Sequence, residues 1–164
     1  MNKSDTRKHY NSYFVMYTIL FAALSILFFY GFWKAKLSFV WNVDGRTQHI
    51  HALQFYSDWL QQIAKNILFK HKLEIPLWSF SIGYGSDIIT TLHYYVIGDP
   101  LCLLSIFVPD RYMVHFYDIM ILFRVYLAGL SFSVYCFYRK QNNRIAVITG
   151  AVSYTNLTLP TTSR

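Results

Sequence analysis

Two long apolar runs dominate the hydrophobic pattern of this chain. The first covers residues 13–33 without a charged side chain, and a helix of that length spans roughly 32 Å, enough to cross a hydrocarbon core of about 30 Å. The second covers residues 112–138, and a third begins at Ile145. The pattern predicts an all-α polytopic membrane protein with transmembrane helices at 13–33 and 112–138 and the start of another at 145–151.

Basic residues at the ends of these runs predict how the chain crosses the membrane. Lys3, Arg7 and Lys8 precede the first run, and a short basic loop from Arg139 to Arg144 follows the second. Because cytoplasmic loops carry an excess of Lys and Arg, both clusters place the N-terminus in the cytoplasm. The same rule places residues 34–111 outside the cell as an extracytoplasmic loop.

This loop has helical patterns of its own. Between Thr47 and Phe69, apolar residues recur at spacings of three and four, which predicts an amphipathic helix. Gly83 and Gly85 predict a tight loop. The apolar stretch 92–108 is interrupted at Gly98-Asp99-Pro100 and predicts two short helices or a re-entrant element, because proline removes a backbone donor.

Composition agrees with a membrane protein. Only 14% of the 164 residues are charged and 20% are aromatic, whereas soluble domains carry about a quarter charged residues. The net charge of +7 comes from Lys and Arg beside apolar runs, which indicates topology signals and contacts to membrane lipids rather than nucleic acid. The two cysteines fall in apolar segments and form no disulfide or metal pattern.

The last residues break the pattern. Residues 152–164 are polar and rich in threonine where a helix has just begun, and they resemble a translated adaptor sequence. We therefore expect an artefactual tail that takes no part in the fold, and a chain that is the N-terminal fragment of a longer protein.

Four short motifs stand in order along the remaining sequence. They are Trp41-Asn42-Val43-Asp44-Gly45 with Gln48-His49, then Ile82–Asp87, Tyr94–Pro100 and Leu127–Phe132. Together they resemble the N-terminal part of the bacterial YfhO family of membrane proteins, over about residues 10–151. The family is similar to GT-C glycosyltransferases, so the resemblance implies a GT-C-like fold in the bacterial cell membrane. It also implies transfer of a sugar from a polyprenyl-phosphate donor to lipoteichoic acid or another teichoic-acid-like wall polymer of Gram-positive bacteria.

The resemblance implies a catalytic role for Asp44. In GT-C enzymes an aspartate soon after the first span serves the acceptor, and Asp44 stands at that place. Its carboxylate could take the proton from an acceptor hydroxyl; the alternative is that it caps the helix predicted to begin near Thr47.

Further candidates have weaker support. Asp99 and Asp87 could bind substrate, and Asp99 could also bind a metal. The alternative for both is that they only form turns. Arg46 and His49 lie near Asp44 in sequence, and Arg124 stands deep in the second span, where a charge needs a partner or a wet cavity. Arg124 could bind a lipid phosphate or pair with another helix.

Two questions stay open at the level of sequence. A divalent metal cofactor is neither indicated nor excluded. The competing functions are a transporter or flippase, which would use the intramembrane charge, and a non-catalytic subunit for assembly of the cell envelope.

Overall fold

The computed structural model describes residues 3–141 and 143–158, with side chains described over 12–141 and 143–152. This part of the chain is almost entirely helical. Its α-helices are α1 (Lys3–Lys34), α2 (Ile50–Lys70), α3 (Ile88–Leu92), α4 (Met113–Tyr138) and α5 (Arg144–Thr158). Two π-helical turns (Gly45–His49 and His93–Ile97), two 3-10 helices (Pro100–Phe107 and Asp110–Tyr112) and a small antiparallel hairpin of β1 (Trp78–Ser79) and β2 (Ser86–Asp87) complete it.

The chain divides into two compact units. One consists of α1, the later part of α4 and α5, and is called the helix bundle below. The other is the continuous stretch Ser38–Met120, called the intervening segment.

Two helical stretches are long and apolar enough to cross a membrane, Ser12–Lys34 and Asp110–Tyr138. They confirm the predicted spans at 13–33 and 112–138 to within a few residues. Side chains on α1 explain the match: Val15, Ile19 and Leu27 are all exposed, as expected of a helix whose apolar surface faces hydrocarbon. The orientation of these spans stays a prediction.

Hydrogen bonds and aromatic rings join the helices of the bundle. The Tyr13 hydroxyl donates to Ser133 Oγ at 2.7 Å, and Ser133 donates to the Gly129 carbonyl at 2.8 Å. The Tyr17 hydroxyl donates to the Tyr126 carbonyl at 2.9 Å. Small and hydroxyl-bearing residues typically join helices in this way within a membrane, where packing and hydrogen bonds replace the hydrophobic effect.

The third apolar helix is longer than the sequence predicted. It was expected to begin at Ile145 and stop near residue 151, but α5 begins at Arg144 and continues to Thr158. The Asn143 side chain accepts hydrogen bonds from the first backbone amides of α5, which fixes its start. The helix therefore extends into the predicted tail, of which residues 159–164 lie outside the described part. The adaptor origin of the tail stays a prediction.

The intervening segment has its own apolar core. The predicted amphipathic helix at 47–69 is confirmed as α2, preceded by a π-helical turn. Leu53 and Tyr56 of α2 pack against Ile88, Leu92 and Met113, and all five are buried. Burial of about 25 cal/mol per Å² of apolar surface stabilises this core.

The two breaks predicted in the intervening segment are both present. Gly83 and Gly85 have φ values of +59° and +112°, which few residues other than glycine adopt, and they form the hairpin loop. At residues 98–99 the helical stretches Ile88–Ile97 and Pro100–Phe107 bend by 98°. The break between two short helices is thus confirmed, and a bent pair of this kind is found both in re-entrant elements and in broken spans.

Candidate functional site

The chain around Asp44 is held at both ends of a short turn. On one side, Asp118 Oδ1 accepts hydrogen bonds from Ser38 Oγ at 2.8 Å and from the Phe39 amide at 2.9 Å. On the other side lies Gly45, which is buried; a Cβ there would come within 3.2 Å of Val40 Cγ1. This close approach explains why glycine follows the aspartate.

The Asp44 carboxylate does not cap the helix that follows it. Asp44 occupies the capping position of the π-helical turn Gly45–His49, but its side chain makes no capping hydrogen bond. Instead, Asp44 Oδ1 accepts a long hydrogen bond from Gln48 Nε2 at 3.4 Å. The capping alternative raised by the sequence is therefore not what the structure shows.

A tyrosine from a distant part of the segment completes this cluster. The Tyr95 hydroxyl donates to Gln48 Oε1 at 2.7 Å, so Gln48 is held by Tyr95 while its amide points at Asp44. The His49 ring meets the Tyr95 ring edge to face, with centroids 5.3 Å apart. Asp44, Gln48, His49 and Tyr95 are called the Asp44 cluster below.

The other two aspartate candidates do cap helices. Asp87 Oδ1 accepts from the Thr90 amide at 2.6 Å at the start of α3, and Asp99 Oδ1 accepts from the Leu101 amide at 2.9 Å at the start of the 3-10 helix. Hydrogen bonds from Thr90 lower the pKa of Asp87 from its ordinary value. The turn-forming alternative holds for both, and their substrate-binding role stays a prediction.

The arginine candidates lie in different units. Arg46 is exposed on the same π-helical turn as the Asp44 cluster, where its guanidinium could reach a phosphate. Arg124 is half-buried in α4, within the helix bundle. The structure therefore brings His49 to the Asp44 cluster, leaves Arg46 beside it in sequence, and places Arg124, Asp87 and Asp99 on other elements.

Metal-ligating side chains do not converge in the part of the chain that the structure describes. No group of three or more His, Cys, Asp or Glu residues there is arranged to hold a metal ion. The question of a metal stays as open as the sequence left it.

Comparison with known proteins identifies the family. The family model of the bacterial membrane protein YfhO matches residues 16–162. The chain belongs to the YfhO family. No curated protein and no solved structure matches it. Membership in YfhO confirms the resemblance drawn from the four motifs, and the two spans agree with a family of bacterial membrane proteins.

Sequence reasoning gave no role to two members of the Asp44 cluster, although YfhO-like motifs contain both. Gln48 is four residues after Asp44, a spacing at which helical side chains meet, and this signal was available. Tyr95 is 47 positions from Gln48. Only the fold of α3 and the turn after it against α2 brings the two together, so local patterns could not have paired them.

Proposed function

We propose that this chain is part of a glycosyltransferase that uses a polyprenyl-phosphate sugar outside the membrane and glycosylates a wall polymer such as lipoteichoic acid. Membership in the YfhO family supports this function. The observation that carries it is the state of Asp44: unlike the other two candidate aspartates, Asp87 and Asp99, it does not use its carboxylate as a helix cap.

The proposed reaction is a single displacement with inversion at the anomeric carbon. An acceptor hydroxyl attacks that carbon, the bond from the anomeric carbon to the phosphate oxygen breaks, and polyprenyl phosphate leaves with the bonding electrons. Asp44 takes the proton of the attacking hydroxyl as general base. A phosphate is already a good leaving group, so the reaction needs no strong general acid.

Gln48 and Tyr95 act in this proposal as positioning residues. Gln48 touches the base and Tyr95 holds Gln48, so together they restrict the rotamers of the carboxylate before substrate arrives. Such preorganisation lowers the barrier because little has to move in the transition state. Arg46 is proposed to contact the donor phosphate, and His49 to line the acceptor side.

The first experiment replaces the base. Asp44→Asn in the protein expressed from its whole gene, assayed in membranes with a polyprenyl-phosphate sugar and the wall polymer, is expected to reduce sugar transfer by about 10²-fold or more. Asp110→Asn is the matched control, since this aspartate also begins a helix and has no proposed role in the reaction, and it is expected to keep most of the activity. Undiminished transfer by Asp44→Asn would exclude the catalytic assignment.

Asp44→Asn and Arg124→Gln together separate the rival functions. A transporter or flippase would lose function on Arg124→Gln while Asp44→Asn left glycosylation of the polymer unaffected. A non-catalytic assembly subunit would tolerate both changes.

The proposal also requires that the intervening segment lies outside the cell. Tyr84 is fully exposed at the hairpin loop, so Tyr84→Cys offers a labelling site that disturbs no packing. An impermeant thiol reagent is expected to label this variant on intact cells, with the unsubstituted protein as control. Labelling only after the cells are broken would show that the intervening segment lies in the cytoplasm. The segment could then not reach a donor and an acceptor outside the membrane.

A further inference from the structure

A second concave site lies in the intervening segment, on different residues from the Asp44 cluster. It is an open cleft of about 460 Å³ between α2 and the β-hairpin, within the range of small-molecule sites. Its lining consists of Phe55, Asp58, Trp59, Gln62, Pro76, Trp78, Ser79, Ser81 and Ile88.

The walls of this cleft are fixed by hydrogen bonds. Trp59 Nε1 donates to the Pro76 carbonyl at 2.9 Å, which ties the irregular segment before the hairpin to α2. The Ile88 amide donates to the Leu77 carbonyl at 2.8 Å, and Trp78 pairs with Asp87 in the hairpin. The cleft is therefore a formed feature of the segment and needs no rearrangement to accept a ligand.

One wall of the cleft is aromatic and exposed. Trp78 is 57% exposed, although leaving a tryptophan ring in water forfeits a large burial energy. Its ring meets the Phe80 ring edge to face, with centroids 6.3 Å apart, and a Cβ on Gly85 would lie 3.3 Å from Trp78 Cζ2. These neighbours restrict the indole, so its free face is a rigid apolar platform.

The remaining lining is polar but carries little charge. Asp58 and Gln62 project from α2 one turn apart, and both are exposed; Ser79 and Ser81 add hydroxyls from the hairpin. Partial burial, and then the nearby Asp110, raise the pKa of Asp58. No lysine or arginine belongs to the lining among the described residues.

This combination selects one class of ligand. A pyranose ring has an apolar face of C–H groups, which suits an aromatic platform, and a rim of hydroxyls, which suits carboxylate and amide partners. A phosphate would meet the Asp58 carboxylate inside the cleft, whereas Lys65, which interacts with Asp58, lies outside the lining, so a phosphate is disfavoured. A lipid chain would bury Asp58 and Gln62 without partners, which costs free energy.

We propose that this cleft is a saccharide-binding site that seats one uncharged or amino-substituted pyranose ring on Trp78, with Asp58 and Gln62 accepting and donating hydrogen bonds at its hydroxyls. The site binds sugar independently of the reaction at Asp44. If the proposed function holds, it retains a sugar unit of the polymer chain. If that function fails, the cleft remains a saccharide site.

The test is a direct binding measurement on the full chain in nanodiscs or a detergent without a sugar headgroup, since maltoside detergents would compete. The probes are methyl glycosides of glucose, galactose, N-acetylglucosamine and glucosamine, followed by ligand-observed NMR and by titration of tryptophan fluorescence. At least one probe is expected to saturate with a Kd in the millimolar range, and Trp78→Ala is expected to weaken it at least tenfold.

Matched variants decide whether the effect belongs to the cleft. Trp41→Ala removes an equally exposed tryptophan, 58% against 57%, that lies outside the lining, and it is expected to bind as the unsubstituted protein does. Asp58→Asn and Gln62→Ala, both at exposed positions, are expected to weaken binding while circular dichroism stays unchanged. Asp44→Asn is expected to leave binding intact even where transfer is lost.

Three results would overturn the proposal. They are no saturable binding by any of the four probes, equal binding by the Trp78→Ala and unsubstituted proteins, and binding of glycerol phosphate in preference to the glycosides. The last would make the cleft an anion site instead.

Discussion

The helix bundle and the intervening segment differ in which side chains they bury. In the bundle, α1 directs leucine, isoleucine and phenylalanine outward and buries tyrosines, whose hydroxyls bond to serine and backbone of α4. The intervening segment buries leucine, isoleucine and methionine in a core of its own and keeps its carboxylates outside that core, where two of them cap helices. Other large apolar side chains of the segment, such as Leu68, Phe80 and Phe107, are exposed. The first arrangement suits hydrocarbon, whereas the second combines an apolar core with a surface that carries both carboxylates and exposed apolar side chains.

This difference explains why the candidate ligand-binding side chains lie in the intervening segment. A polar side chain in the bundle is needed to join helices, so little of its hydrogen-bonding capacity is left for a ligand. In the intervening segment the apolar core provides stability, and side chains such as Asp44, Asp58 and Gln62 are left at the surface. Both candidate sites accordingly lie in the intervening segment.

The largest expected effect tests this difference between the units by replacing one leucine in each with alanine. Leu53→Ala in α2 deletes a side chain that is 2% exposed, and it is expected to lower the free energy of unfolding by about 2–5 kcal/mol. Leu27→Ala in α1 deletes one that is 70% exposed, and a change within about 0.5 kcal/mol is expected. Denaturation midpoints of the two variants in detergent are the measurement. Equal losses would mean that the outward face of α1 is packed against protein.

A smaller effect tests packing inside the bundle. A Cβ on Gly150 of α5 would lie 2.9 Å from the Phe132 ring of α4, so Gly150→Ala forces the ring to move and is expected to cost about 1–2 kcal/mol. Gly31→Ala in α1 is the control, because nothing lies within 4 Å of its Cβ, and the gain in helix propensity should stabilise it slightly. If Gly150→Ala is as well tolerated as Gly31→Ala in thermal unfolding, α5 is not tightly packed on α4.

The sequence predicted the elements of both units better than their contacts. Long uncharged runs and three-to-four spacing are strong local signals, and they placed α2, α4 and the end of α1 to within a few residues, whereas α1 begins ten residues before the predicted start. The proline at position 100 likewise marked the bend. The length of α5 was not predicted because residues 152–164 were set aside as an adaptor-like tail, whereas the helix continues to Thr158.

The candidate sites were predictable only in part. Asp44 could be chosen by its position after the first span, but its freedom from capping depends on side-chain rotamers that no pattern records. Tyr95 reaches Gln48, and Trp78 reaches the cleft beside Asp58, only because the hairpin and α3 fold back on α2. Such pairings depend on tertiary contacts between distant positions, which a single sequence does not contain.

The smallest effect concerns the carboxylates themselves and depends on pH. The pKa of Asp87 in the folded protein is lowered by hydrogen bonds from Thr90, so folding favours its charged form. The contribution of Asp87 to stability is therefore complete above the unfolded pKa of about 3.9 and is lost as pH falls through the folded pKa.

Asp87→Ala is expected to speed amide hydrogen exchange in α3 at pH 6, and the difference from the unsubstituted protein should shrink as pH falls below about 4. Asp44→Ala, which removes a carboxylate that caps nothing, should leave exchange in α3 unchanged at every pH; an equal effect of both variants would mean that general charge, and not the cap, stabilises α3.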